Sequence, residues 1–204
     1  MVRSLTVYKN FDIRLSHKGS IILIGNFDGL HLGHQKLFRL AKKFKNKYSL
    51  KIGVLTFEPM PKMFFNKSLR NFRISNQKQK ISLLKNFDVD FIILKKFDKE
   101  FSKIKSINFI KNILSSKLKA KFIFVSNNFK FGNKREGNVK QLINHENICN
   151  YKIINPRPLK IKKRIVSSSL IRNYLQKGKL IEANKLLGRK WSIEGKVQKG
   201  RQLG

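Results

Sequence analysis

The residue types best suited to chemistry fall in Ile21–Gln35, IILIGNFDGLHLGHQ. His31 and His34 are three apart, so in a first helical turn both imidazoles project from one side. Placed there they can donate hydrogen bonds to an anion's oxygens. Ile21–Ile24 reads as a short buried strand and Gly25-Asn26-Phe27-Asp28-Gly29 as a turn that tolerates unusual backbone angles. Leu37, Leu40, Ala41 and Phe44 then recur at helical spacing. The first N–H groups of a helix have no partner inside it and carry partial positive charge. Strand, Gly-rich turn and helix start therefore predict a phosphate site. Gly33 lets a bulky anion approach the backbone. Asp28 reads equally as an outer-shell carboxylate and as a turn-stabilising one.

A second candidate is Arg164–Arg172, RIVSSSLIR. Ser167, Ser168 and Ser169 at a helix start can cap it and offer hydroxyl donors to an anion. Arg172, one turn further in, is a strong partner for phosphate oxygens. Taken singly, the string is an ordinary serine cap with a surface arginine.

The elements around these strings predict an α/β fold, a parallel sheet with helices on both faces. Strands are read at Leu5–Phe11, Ile21–Ile24, Leu50–Phe57, Val89–Leu94, Phe122–Val125 and Tyr151–Ile154. Ser75 is read as the cap of a helix to about Asn86. Further helices carry Ile107–Leu118, Val139–His145 and Ile181–Leu187, the last stopped by Gly188. Pro59 and Pro61 predict a rigid loop, and 62–73 a basic, aromatic flap. Ligands of open α/β sheets sit at the carboxyl ends of strands, so the loops after Ile24 and Phe57 are expected to line one crevice. His17 is expected to be a solvated loop residue, and Trp191–Val197 a final strand.

Lys and Arg number 46 against 11 Asp and Glu, a formal net charge of +35. The basic residues are scattered rather than gathered in one stripe, and Lys, Asn, Ile and Phe are all residues of A/T-rich codons. That argues for compositional bias over a specific nucleic-acid face. The surface should attract anions, less so at high salt. The one cysteine, Cys149, excludes an internal disulfide. No run nears the roughly 18 apolar residues of a membrane helix, and no signal-peptide core is seen, so a cytoplasmic protein is expected.

GNFDGLHLGHQ resembles the signature of the bacterial bifunctional riboflavin kinase/FMN adenylyltransferases, also called FAD synthetases, of the HxGH nucleotidylyltransferase superfamily. TFEPMP resembles that family's TFEPHP loop, with Met60 where His is usual. NNFKFGNKREG resembles its flavin-side loop, with Ser126 just before it where Gly is common. IVSSSLIR resembles its ISSTxIR motif, with Leu170 where Arg is frequent. The resemblance implies a Rossmann-like fold and the conversion of FMN and MgATP to FAD and pyrophosphate. It makes His31, His34, Ser168 and Arg172 catalytic, and Gly25, Asn26, Phe27, Asp28, Gly33, Ser167 and Ser169 nucleotide-binding. Phe57, Glu58, Pro59, Pro61, Asn128, Phe129, Phe131, Gly132 and Arg135 become FMN-binding, with Mg²⁺ accompanying ATP and no metal ligand assigned. On the residues alone, Phe129 and Phe131 read first as edge-of-core aromatics. Residues 1–186 are expected to form the adenylyltransferase unit. Residues 187–204 resemble the junction into a riboflavin kinase barrel cut off near its start. Other nucleotidylyltransferases, a basic nucleic-acid binder and a catalytically weak remnant are the competing readings.

Overall fold

Side chains that alternate between two apolar layers build the sheet, and the sheet sets where the loops emerge. The computed structural model describes residues 5–69, 72–195 and 200. The first half contains β1 (Thr6–Tyr8), β2 (Ile21–Ile24), α1 (Leu32–Tyr48), β3 (Ile52–Glu58), α2 (Pro61–Phe65), α3 (Gln77–Lys85) and β4 (Phe91–Lys96). Then follow α4 (Lys99–Ser102), α5 (Ser106–Asn108) running into a π-helix at Phe109–Lys117, and β5 (Phe122–Phe124). The rest comprises β6 (Lys130–Phe131), β7 (Gly137–Asn138), α6 (Val139–Asn144), α7 (Glu146–Cys149), β8 (Lys152–Ile154), β9 (Lys160–Ile161), β10 (Arg164–Ile165), α8 (Ser168–Gln176) and α9 (Leu180–Leu187).

Six strands pair in the order β1-β4-β3-β2-β5-β8, every pair parallel. Two small antiparallel pairs, β6–β7 and β9–β10, stand apart from it. Because strand side chains alternate, Ile22, Ile24, Leu55, Ile93 and Ile123 join one layer. The π-helix covers that layer with Phe109, Ile110, Ile113 and Leu114, and α6 with Leu142. Ile21, Leu23, Ile52, Val54, Ile92 and Phe124 face the other layer, under Leu37, Phe38 and Ala41 of α1 and Leu84 of α3. The expected α/β sheet with helices on both faces is therefore observed. A third, smaller cluster joins Val166, Ile171, Ala183, Leu186 and Leu187 to Ile74.

Several local expectations are corrected. Asn76, not Ser75, caps α3: its side chain and that of Gln79 bond each other's backbone N–H. The Ser75 amide is engaged instead by Asp28. Pro61 does not end regular structure but opens α2 at its first position, where its missing N–H is no loss. His17 is buried, not solvated: its ring stacks on Phe91 at 4.4 Å and its Nδ1 shares a hydrogen bond with the Tyr8 hydroxyl. Trp191–Gly195 forms no strand, and Val197 lies outside the described residues. Trp191 donates from its indole to the Ile74 carbonyl at 2.8 Å and from its backbone to Asn184. Among the described residues no helix is long and apolar enough to cross a membrane.

Gly53 on β3 is obligatory for packing, since a Cβ there would lie 2.2 Å from the Phe91 ring. Gly53→Ala is expected to lower unfolding free energy by about 1–3 kcal/mol, the usual cost of overpacking. Urea denaturation checks it, and an unchanged midpoint would contradict the seating of Phe91.

Candidate active site

β2 is central, with β3 on one side and β5 on the other, so the chain reverses direction across the sheet there. Such switch points open a crevice at the carboxyl ends of the strands. The turn after β2 occupies that place. Phe27, Gly29 and Leu30 have positive φ, 47°, 75° and 39°. For the two non-glycines this is strained, at about 1–3 kcal/mol each. Burial holds them: the Phe27 ring lies 5.2 Å from Phe38, and Leu30 is fully enclosed. A Cβ on Gly29 would meet Ile74 at 2.8 Å. Arg189 donates to the Gly29 carbonyl, and Gln35 donates to both Leu30 and Leu187 carbonyls.

His31 caps α1, its Nδ1 accepting from the His34 backbone N–H at 3.3 Å. That contact fixes the tautomer: Nδ1 is the bare nitrogen and Nε2 carries the proton. The two imidazoles stack with centroids 3.7 Å apart. Phe27 meets His34 edge-on at 5.3 Å. Burial pushes the His31 pKa down to about 4, with the Arg172 charge adding to it. His34 is only partly buried as a residue, yet its Nδ1 is enclosed without a hydrogen-bond partner. Burial, then the His31 charge, holds its pKa well below the ordinary value. Both rings are therefore neutral donors at pH 7.

The second string arrives at the same place. Ser167 caps α8, accepting from the Leu170 N–H. Ser168 Oγ donates to the Asp28 carbonyl at 2.9 Å. A Cβ on Gly33 would lie 3.2 Å from the Val166 carbonyl and 3.0 Å from the His31 ring. Gly33 thus makes room for the second string as well as for any ligand. Ser169 is exposed.

Arg172 is placed differently from a free phosphate ligand. Its guanidinium donates to Asp28 Oδ2 at 2.9 Å and to the Phe72 carbonyl at 2.8 Å, and it lies 3.8 Å over the Phe72 ring. Asp28, only 4% exposed, also accepts from the Ile74 and Ser75 amides. It is a joint between turn, α3 and α8.

Gly25 and Asn26 open the turn, and the Asn26 carbonyl accepts from Lys80 Nζ and from Thr56 Oγ1. Lys80 was invisible to motif reading; its one signal is a charge on the apolar face of α3, four before Leu84. The Phe57–Pro61 segment leaves β3 at the same edge. Phe57 is core-packed, Glu58 pairs with Arg73, and Glu58 Oε2 is buried without a partner. The Glu58–Pro59 bond is cis. In the loop after β5, exposed Asn128 accepts from Ser126 Oγ. Phe131 is buried and stacks on Phe129 at 5.5 Å, so these rings do close the core edge. Gly132 has φ 75° and abuts Ser106, while Arg135 is exposed.

An all-parallel six-stranded sheet with paired imidazoles at its switch point defines a Rossmann-like α/β protein. Residues 13–170 match the family model described as FAD synthetase. A Buchnera aphidicola (subsp. Schizaphis graminum) protein named bifunctional riboflavin kinase/FMN adenylyltransferase is 38% identical over 194 residues, 95% of this chain and 62% of that protein. The Escherichia coli K12 protein of the same name is 31% identical, covering 92% of this chain and 60% of its own length. A Streptococcus pneumoniae crystal structure, described as a macrolide-efflux protein, aligns with TM-score 0.79 and 29% identity over 91% of this chain and 62% of that one. A Francisella tularensis pantoate-beta-alanine ligase, at TM-score 0.55 and 18% identity over 91% of this chain and 78% of that one, shares the fold alone. The chain belongs to the FAD synthetase family, as its motifs led one to expect. It spans about three fifths of the length of these curated relatives.

Two outcomes test this geometry. Asp28→Asn is expected to destabilise the fold by about 3–5 kcal/mol in urea, as removing one partner of a buried pair does; a change below 1 kcal/mol would deny the joint. The second concerns His31, whose folded pKa lies below its unfolded one. Between pH 6.5 and about 4 the unfolded chain therefore binds the extra proton, and stability falls as pH drops through that window. The His31 share is about 3 kcal/mol, lost as pH falls through about 4 and absent from His31→Asn. Parallel losses in both proteins would contradict the enclosed, neutral ring.

Proposed function

We propose that the chain is an FMN adenylyltransferase, making FAD and pyrophosphate from FMN and ATP. The observation that carries this is the meeting of the paired imidazoles with the serine-bearing tip of α8 around Asp28. An FMN phosphate oxygen attacks the α-phosphorus of ATP in line. The bond from that phosphorus to the α–β bridging oxygen breaks, and pyrophosphate leaves with the electron pair. The second pKa of a phosphate monoester is about 6, so the nucleophile is already anionic and needs no strong base. The barrier lies in joining two anions and dispersing charge on the leaving group, a task of positioning and electrostatic stabilisation.

His31 Nε2–H and the His34 ring are neutral donors whose hydrogen bonds strengthen as charge develops. The amides opening α1 and α8, with Ser167, Ser168 and Ser169, hold the phosphates. Arg172 acts through Asp28, keeping the two tips together. Gly25, Asn26, Phe27 and Gly33 shape the floor. Among the described residues no group of three or more His, Cys, Asp or Glu could hold a metal ion, and Asp28 is taken up by amides and Arg172. Mg²⁺ would enter with ATP, on its phosphate oxygens. Phe57, Glu58, Pro59 and Pro61, with Asn128, Phe129, Phe131, Gly132 and Arg135, frame the flavin side, where aromatic faces suit a flat ring.

Residues 1–186 are taken as the adenylyltransferase unit and 187–204 as its junction toward a kinase domain. Arg189 and Trp191 nevertheless bond back to the turn and to Ile74, so the junction braces the first unit. Riboflavin kinase activity is assigned to the part of the relatives that this chain does not span.

Chromatography of the protein incubated with FMN, ATP and Mg²⁺ is expected to show FAD; no FAD beyond the uncatalysed control would refute the reading. His34→Ala should keep the fold and slow the reaction about 10²–10³-fold, the loss typical of one such donor. Near-wild-type turnover would remove His34 from the mechanism. Phe129→Ala should weaken FMN more than ATP, whereas equal losses would move the flavin elsewhere.

A further inference from the structure

Lys80 is only 5% exposed, on the face of α3 that buries Leu84. A lysine is almost never enclosed unless paired. Its Nζ donates to Thr56 Oγ1 at 3.2 Å and to the Asn26 carbonyl at 3.4 Å, both neutral acceptors. Thr56 stands near the carboxyl end of β3, and Asn26 opens the turn after β2. The ammonium therefore sits in the fork between two strand ends, beneath the turn that leads to His31.

The charged groups facing Lys80 are Glu58 on β3, Asp28 in the turn and Arg73 ahead of α3. Glu58 pairs with Arg73, and Asp28 with Arg172 of α8. Among the described residues, Lys80, Arg73 and Arg172 thus share two carboxylates, and three cations less two anions leave this cluster with one positive charge in excess. An unpaired buried charge is costly. The natural relief is an anion at the turn, where the helix amides and imidazoles already converge.

We propose that Lys80 is a positioning residue for the nucleotide's phosphates: its enclosed ammonium supplies the uncompensated charge under the Gly25–Gly29 turn that a bound polyphosphate neutralises. This rests on the adenylyl-transfer reading and adds the group that sets phosphate affinity. The site uses the charge of Lys80, through the Asn26 carbonyl and across space, rather than its bulk. Burial lowers the Lys80 pKa from its ordinary value, against the opposing pull of Glu58 and Asp28. A bound polyanion favours the protonated amine. Nucleotide affinity should therefore fall as pH rises through the free protein's Lys80 pKa, at lower pH than a surface lysine would titrate.

The test is calorimetric binding of MgATP and, separately, FMN from pH 7 to 10, with FAD formation followed in parallel. Lys80→Met should weaken MgATP about tenfold or more, the order expected for one unit charge acting across space in a partly buried site. It should lose the alkaline decline and change FMN affinity far less. Lys80→Arg, which stays charged throughout, should keep MgATP affinity at pH 7 and also lose the decline. A merely structural role would weaken both ligands alike and leave the pH slope in place, which would overturn the proposal. If Lys80→Met does not fold, Lys80→Arg decides alone: a persisting decline overturns it, a flat profile supports it. A wild-type protein that makes FAD while the variants match it sinks this inference only. A wild type that binds neither MgATP nor FMN sinks the adenylyl-transfer reading and this inference with it.

Discussion

One carboxylate joins the parts of this protein that chemistry would need together. Asp28 accepts from two backbone amides ahead of α3 and from Arg172 of α8, while its own carbonyl accepts from Ser168. A buried ion pair stabilises only when its remaining lone pairs are also satisfied. Here they are, and by segments far apart in the chain. The same joint pins a turn with positive φ at Phe27 and Leu30, a conformation that needs outside support. Without it the tip of α8 would have no fixed distance from the paired imidazoles.

The joint also sets the electrostatics. His31 and His34 are kept uncharged by enclosure, so they act as oriented dipoles rather than cations. Positive charge is held lower, at Lys80, and to the side, at Arg73 and Arg172. Fixed donors and enclosed charge need no reorganisation when charge builds on a phosphate. Strained turn, neutral rings and buried amine are three consequences of folding one tightly enclosed turn at the sheet's switch point.

What could be read from the sequence follows from what is local. Ile21–Ile24 was legible to the residue because an unbroken apolar run between turn formers has few alternatives. The α/β class followed from strand and helix spacings, and the family from four ordered strings. Long-range contacts were hidden. Arg172 reads as a phosphate ligand because its partner Asp28 lies 144 positions away. Ser75 looks like a helix cap because nothing nearby shows that Asp28 claims its amide. His17 looks solvated because Phe91, on which it stacks, belongs to a distant strand. Lys80 left a trace, a charge in an apolar stripe, that no motif covers.

The most direct measurement is a crystal structure of the protein with a non-hydrolysable ATP analogue and Mg²⁺. The triphosphate is expected to lie between the start of α1 and the start of α8, within hydrogen-bond distance of His31 or His34 on one side and Ser167 or Ser168 on the other. Phosphates bound by one tip only, or at another face of the molecule, would contradict the shared site.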